Sequence, residues 1–155
     1  MKLKFSIFLI SCLLFIAGIG FAQHASLRNE DALKYVDPYI GSDYHGHVFV
    51  GTNVPYGMIQ LGPSNIHKGW DWCSGYHYSD SILIGFSHTH LSGTGCTDLG
   101  DILIMPLNEI RTPRGNQDDI QGGYASKYSH DNEIVRPEYY SLLVDRYGIK
   151  AELTT

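Results

Sequence analysis

Trp70-Asp71-Trp72-Cys73-Ser74-Gly75-Tyr76-His77-Tyr78 is followed, after Ser79-Asp80-Ser81, by Ile82-Leu83-Ile84-Gly85-Phe86-Ser87-His88-Thr89-His90. The stretch then runs Leu91-Ser92-Gly93-Thr94-Gly95-Cys96-Thr97-Asp98-Leu99-Gly100-Asp101. An apolar segment, Ile82 to Phe86, lies between two polar, aromatic and glycine-rich ends. That pattern predicts a buried strand whose ends open into loops. Loops held by a rigid scaffold are where binding residues concentrate. Both tryptophans of the chain, two of its three cysteines and three of its eight histidines lie here.

Outward from this stretch, short apolar segments alternate with turns. Val54-Pro55-Tyr56-Gly57 is turn chemistry, and Met58-Ile59-Gln60-Leu61-Gly62 reads as a short strand. Gly46 and Gly51 mark tight turns in the segment Asp43 to Gly51. Pro38 restricts the preceding segment, Tyr35 to Gly41, to an edge or a loop. On the other side, Asp101 to Leu107 reads as a further apolar strand, and residues 108–133 as a long polar loop. Tyr139 to Val144 and Ile149 to Thr154 predict a hairpin across Asp145-Arg146-Tyr147-Gly148. In its second arm Ile149, Ala151 and Leu153 alternate with polar residues, as in a half-buried strand. The sum is an all-β chain, an antiparallel β-sandwich.

Residues 1–22 stand apart. Lys2 and Lys4 precede an apolar run from Phe5 to Ile19, and Gly20-Phe21-Ala22 supplies a small-x-small cleavage site. This reads as a signal peptide, with a mature chain beginning at Gln23 and carrying no transmembrane segment, in the periplasm or secreted. Leu9-Ile10-Ser11-Cys12 offers the alternative of lipid attachment at Cys12. Export would leave Cys73 and Cys96 in an oxidising compartment, either bridged or as two buried thiols. The 155 residues, a formal charge of −5 and a pI near 5.8 suit one domain and give no basic footprint for nucleic acid. Eleven tyrosines suit either strand packing or sugar binding.

Three groups carry candidate chemistry. On a strand, His88 and His90 would share one face, where they could ligate a metal, contact sugar hydroxyls or be satisfied by backbone. Trp70-Asp71-Trp72-Cys73 offers an indole to stack on a sugar face and a carboxylate for its hydroxyls, or else core packing and a loop cap. Gly93-Thr94-Gly95-Cys96-Thr97-Asp98 begins like a nucleotide loop, but aspartate takes the last position and no helix follows. Asp98 and Asp101 can brace that loop, and neither has a placed partner for acid–base work. The sequence has no G-x-S-x-G, no H-E-x-x-H and no phosphate loop.

Gly69 to Asp80 and Gly85 to Cys96 together resemble the N-terminal domain of glycoside hydrolase family 92, calcium-dependent exo-α-mannosidases. The Gly46-containing His45–His47 turn and the Tyr56-Gly57-Met58-Ile59-Gln60-Leu61 run resemble the family's opening. Val50, Tyr56 and Gly62-Pro63-Ser64-Asn65 depart from its commoner residues. The resemblance implies inverting hydrolysis of terminal mannose from mannose-rich glycans, with α-1,2 linkages expected. It favours substrate contact at Trp70, with Asp71 and Cys73 beside it, and with the histidine pair the expected substrate-binding set is Trp70, Asp71, Cys73, His88 and His90. It places the catalytic acid and base, and most calcium ligands, in a C-terminal (α/α)6 barrel. No catalytic or metal-binding residue is therefore assigned within this chain. Residues 23–155 are expected to be a truncated N-terminal sandwich that needs this C-terminal partner and is inactive alone. The alternative class is a non-catalytic carbohydrate-binding module.

Overall fold

The computed structural model describes residues 32–53, 57–95 and 100–155. The signal-peptide and Cys12 readings lie outside these residues, as do Cys96 and Asp98. Residues 32–36 belong to a first unit, separate from the rest, and hold a helical turn in which Tyr35 N–H donates to the Ala32 carbonyl. Among the described residues no helix is long and apolar enough to cross a membrane.

The second unit, residues 37–155, is all-β among its described residues, with two antiparallel three-stranded sheets. The first holds β1 (Gly62–Asn65), β2 (Ile82–Ser87) and β3 (Ser126–Lys127), with β2 in the centre. The second holds β4 (Glu133–Arg136), β5 (Tyr139–Val144) and β6 (Ile149–Thr154), with β5 in the centre. The β5–β6 hairpin has the predicted register, Val144 opposite Ile149 and Tyr139 opposite Thr154. β6 alternates half-buried and exposed along its length, as its sequence pattern requires.

Every residue of β2 is buried, because the strand feeds two cores. Ile82 and Ile84 pack with Ile66 and Ala125 on one side. Leu83 and Phe86 face the main core with Tyr140, Leu142 and Val144 of β5. Strict alternation would put Phe86 with Ile82 and Ile84. The pairing with β1 skips Ile84, from Ser64 opposite Gly85 to Asn65 opposite Leu83. That bulge adds one residue and turns Phe86 onto the face of Leu83. Gly85 sits there at φ 141°, where a Cβ would lie 2.8 Å from the Ile104 carbonyl oxygen.

Three expected elements differ. The strand expected at Met58–Gly62 begins at Gly62 instead, and Leu61 makes only an isolated bridge to Thr52. Pro63 is tolerated because β1 is an edge strand. The apolar run Asp101–Leu107 is not a strand. It touches β2 through a single bridge, Ile104 to Phe86, and leaves Ile102 and Ile104 exposed. The 108–133 loop carries β3 and a 3₁₀ turn at His130–Asn132. It is pinned by Arg146, whose Nη1 donates to the carbonyls of Ile120, Gly123 and Ala125.

Beside the main core lies Glu133, the first residue of β4, whose side chain is fully buried. Its carboxylate accepts from the hydroxyls of Tyr140 at 2.7 Å, Tyr76 at 3.3 Å and Tyr39 at 3.4 Å. His130 Nδ1 lies 2.5 Å away, and its Nε2 is 2.6 Å from the Tyr78 carbonyl. A carboxylate and a carbonyl both only accept, so both ring nitrogens carry protons and His130 is an imidazolium. The hydrogen bond to Glu133 raises its pKa above the ordinary histidine value. Tyr78 stacks on the ring at 4.1 Å. Burial, then the carboxylate charge, holds the Tyr140 hydroxyl well above its usual pKa, which keeps it a donor.

Because the folded pKa of His130 exceeds the unfolded value of about 6.5, its stabilisation is complete below that pH and fades as pH rises through the folded value. The stability difference between the natural chain and His130→Gln should therefore be largest near about pH 6 and shrink towards about pH 9. Urea unfolding across that range checks it. Glu133→Ala, which strips the partner from a half-buried cation and three hydroxyls, should cost about 3 kcal/mol.

Candidate functional site

Three loops join beside the first sheet. The segment Asp43–Val48 enters with two non-glycine residues at positive φ, Tyr44 at 50° and His47 at 54°. That conformation is held where surrounding contacts enforce it. His47 supplies two of them. Its carbonyl accepts from Gly93 N–H at 2.7 Å, and its Nε2 lies 3.2 Å from Asp71 Oδ1. Trp70–Trp72 forms a 3₁₀ turn, with Trp72 N–H donating to Gly69 and Cys73 N–H to Trp70. The Cys73 thiol donates to the Gly93 carbonyl at 3.5 Å and closes the third side.

Trp70 is 60% exposed on this turn. Its indole meets the edge of the His47 ring at 5.4 Å and 88°. Asp71 Oδ1 also takes His45 Nδ1 at 2.6 Å. These two histidines, that of His45 foremost, hold the Asp71 carboxyl below its ordinary pKa, so it is ionised at neutral pH. Trp72 has the opposite role to Trp70. It stacks on His77 at 4.2 Å, and its Nε1 donates to buried Asp80 at 2.8 Å, which Lys68 also reaches at 3.0 Å.

Cys73 and His90 lie on the inner side of the turn. They help line a cavity of about 230 Å³ with Trp72, Thr89, Leu103 and Arg114. Cys73 is a free, buried thiol. His90 is buried and stacks on Phe49 at 5.1 Å. Its Nδ1 is 2.8 Å from the Gln60 carbonyl, and its Nε2 is within 3.0–3.3 Å of the Pro63 carbonyl and the Ser64 and Ser87 hydroxyls. Burial lowers its pKa, against the opposing pull of the two carbonyls.

His88 and His90 do not share a strand face, because β2 ends at Ser87. His88 is half-buried and turns to the Ile102 carbonyl at 3.1 Å, beyond one edge of β2. His90 turns to the β1 edge. Among the described residues no three or more His, Cys, Asp or Glu side chains gather where they could hold a metal ion. The structure thus sorts the five nominated residues: Trp70 and Asp71 on the outer rim, Cys73 and His90 beneath it, His88 apart. It adds His45 and His47 to the rim. The tight turn around Gly46 was their only local signal.

Comparison with known proteins bears on this rim. The model of the glycosyl hydrolase family 92 N-terminal domain matches residues 35–155. An uncharacterised secreted glycosidase of Arthroderma benhamiae is 31% identical over 142 residues, 88% of this chain and 18% of that protein. A family GH92 α-mannosidase from Bacteroides thetaiotaomicron, solved with mannoimidazole, is 44% identical at a TM-score of 0.74, covering 79% of this chain and 16% of that one. A family GH92 inverting mannosidase from the same organism is 26% identical at a TM-score of 0.57, covering 79% and 16%. The chain thus spans less than a fifth of the length of these relatives.

Gly75 is where the outer turn rests on its support. It has φ 86°, and a Cβ there would lie 2.9 Å from His90 Cδ2. Gly75→Ala should destabilise by about 1–3 kcal/mol, from strain and the clash together. A fall in melting temperature checks this, and its absence would show that the turn and His90 can part without cost.

Proposed function

The chain belongs to glycoside hydrolase family 92, through that family's N-terminal domain, and on that premise we propose that it walls the sugar site of an exo-α-mannosidase. The whole protein removes terminal mannose from mannose-rich glycans, at α-1,2 linkages, with inversion at the anomeric carbon. Support for this reading comes from the mannosidase relatives, one of them inverting. Residues 1–22 direct export to the periplasm or beyond, and residues 23–155 act as the N-terminal β-sandwich. The secreted character of the Arthroderma relative supports export.

Inversion uses one carboxylic acid to protonate the leaving oxygen and one carboxylate to activate water, about 6.5–9.5 Å apart. The family resemblance puts both groups in the C-terminal barrel, with the calcium ligands. The described residues have no donor cluster fit for calcium, and Asp71 is already tied to two histidines. What these residues offer is a surface. The observation that carries the reading is Trp70, a large apolar ring left 60% exposed on a turn whose neighbours are braced. An indole so placed stacks on the apolar face of a pyranose and can donate its N–H to a hydroxyl. Asp71, Cys73, His88 and His90 complete the proposed wall: Asp71 on the rim, Cys73 and His90 as support beneath it, and His88 at a separate edge.

A contact made equally in the ground and transition states acts on KM alone. Trp70→Ala in the whole protein should therefore raise KM with kcat nearly unchanged, lowering kcat/KM by ~10-fold, equivalent to about 1.4 kcal/mol. Its melting temperature should hardly move, because the ring packs little. Unchanged kinetics with a large fall in melting temperature would make Trp70 a packing residue.

A further inference from the structure

Asp71 is braced twice, and the two braces differ. The His47 side chain is 4% exposed, whereas that of His45 is 82% exposed. His47 alone would anchor the carboxylate, since it is buried, in contact with Trp70 and tied to Gly93 through its backbone. His45 has no such fixings. Its ring makes one described hydrogen bond, Nδ1 to Asp71 Oδ1 at 2.6 Å. Yet the turn that holds it has the strained residues Tyr44 and His47 on either side.

The chemistry of that one bond decides what the ring presents. A carboxylate can only accept, so Nδ1 carries the proton. In the neutral imidazole Nε2 then holds a lone pair, and it has no partner among the described residues. We infer that His45 is a specificity-determining contact: its Nε2 accepts a hydrogen bond from a substrate hydroxyl beside Trp70. Asp71 is its positioning residue. It fixes the tautomer and the ring orientation, as the partner of one imidazole nitrogen does for the other. The ligand class is a hydroxyl-rich pyranoside that stacks one face on Trp70 and points a hydroxyl at the ring. This inference rests on the reading of Trp70 as a sugar wall.

His45→Asn tests it in the whole protein. The asparagine amide can still donate to Asp71, but nothing replaces Nε2. With mannobiose as probe, kcat/KM should fall ~10-fold, mainly through KM, with the melting temperature unchanged. Asp71→Leu removes the acceptor on which Nδ1 rests, so neither the tautomer nor the orientation of the ring is held. It should reproduce the loss. The double variant should lose no more than either single one, because both act through the same nitrogen. Full activity in His45→Asn, with activity lost in Trp70→Ala, overturns the His45 contact and leaves the site standing. Full activity in both removes the site itself. A drop in melting temperature with unchanged kinetics in His45→Asn makes the ring a structural brace. Losses that multiply in the double variant overturn the positioning role of Asp71.

Discussion

A buried carboxylate must be paired, and that requirement organises this protein. Glu133 is sealed from water, and an unpaired charge there would cost several kcal/mol. Its four donors come from four places in the chain: Tyr39 near the start of the domain, Tyr76 in the loop after the 3₁₀ turn, His130 ahead of β4 and Tyr140 in β5. Apolar packing alone would allow these segments to slide over one another, since burial is not directional. Hydrogen bonds to one carboxylate are directional, and they fix where the Tyr76–Tyr78 segment lies over the second sheet.

That fixed point reaches the rim. The segment Trp70–Tyr78 is held at its far end by Tyr76 and by the Tyr78 carbonyl on His130. In the middle Gly75 rests on His90, and Trp72 is clamped by Asp80 and His77. At its near end Asp71 and Cys73 are tied to the other two loops. Trp70 is what remains, an exposed ring on a braced turn. Such a ring loses little freedom when a ligand covers it, so more of the contact appears as binding.

Local sequence carried some of this and missed the rest for physical reasons. β2 and the β5–β6 hairpin were legible because their signals are short-range: an apolar run, an alternation, a four-residue turn. The Asp101–Leu107 run was misleading because it is apolar yet only grazes β2, with Ile102 and Ile104 exposed. Composition cannot say that a strand-like segment lacks a partner. His88 and His90 were expected on one face, but the strand ends one residue before them. The Glu133 cluster left no trace, because only His130 is a near neighbour in the chain and the three tyrosines lie 7 to 94 residues away. The split of the two tryptophans was partly visible, since the resemblance singled out Trp70 and left Trp72 to packing.

The same separation explains why the rim can carry specificity without weakening the fold. Three buried charged and imidazole groups are satisfied within the domain: Glu133 by its four donors, Asp80 by Trp72, Lys68 and the Ile82 amide, His90 by carbonyls and hydroxyls, while the buried hydroxyls of Thr52 and Ser141 find no partner among the described residues. The rim groups Trp70 and His45 make few internal contacts and stand on loops whose conformation is set from below. Changes there leave the carboxylate cluster and both cores intact. Changes beneath, at Gly75 or His90, move the rim as a unit. A surface built this way can be retuned for a different sugar, or a different hydroxyl, while the sandwich that presents it stays the same.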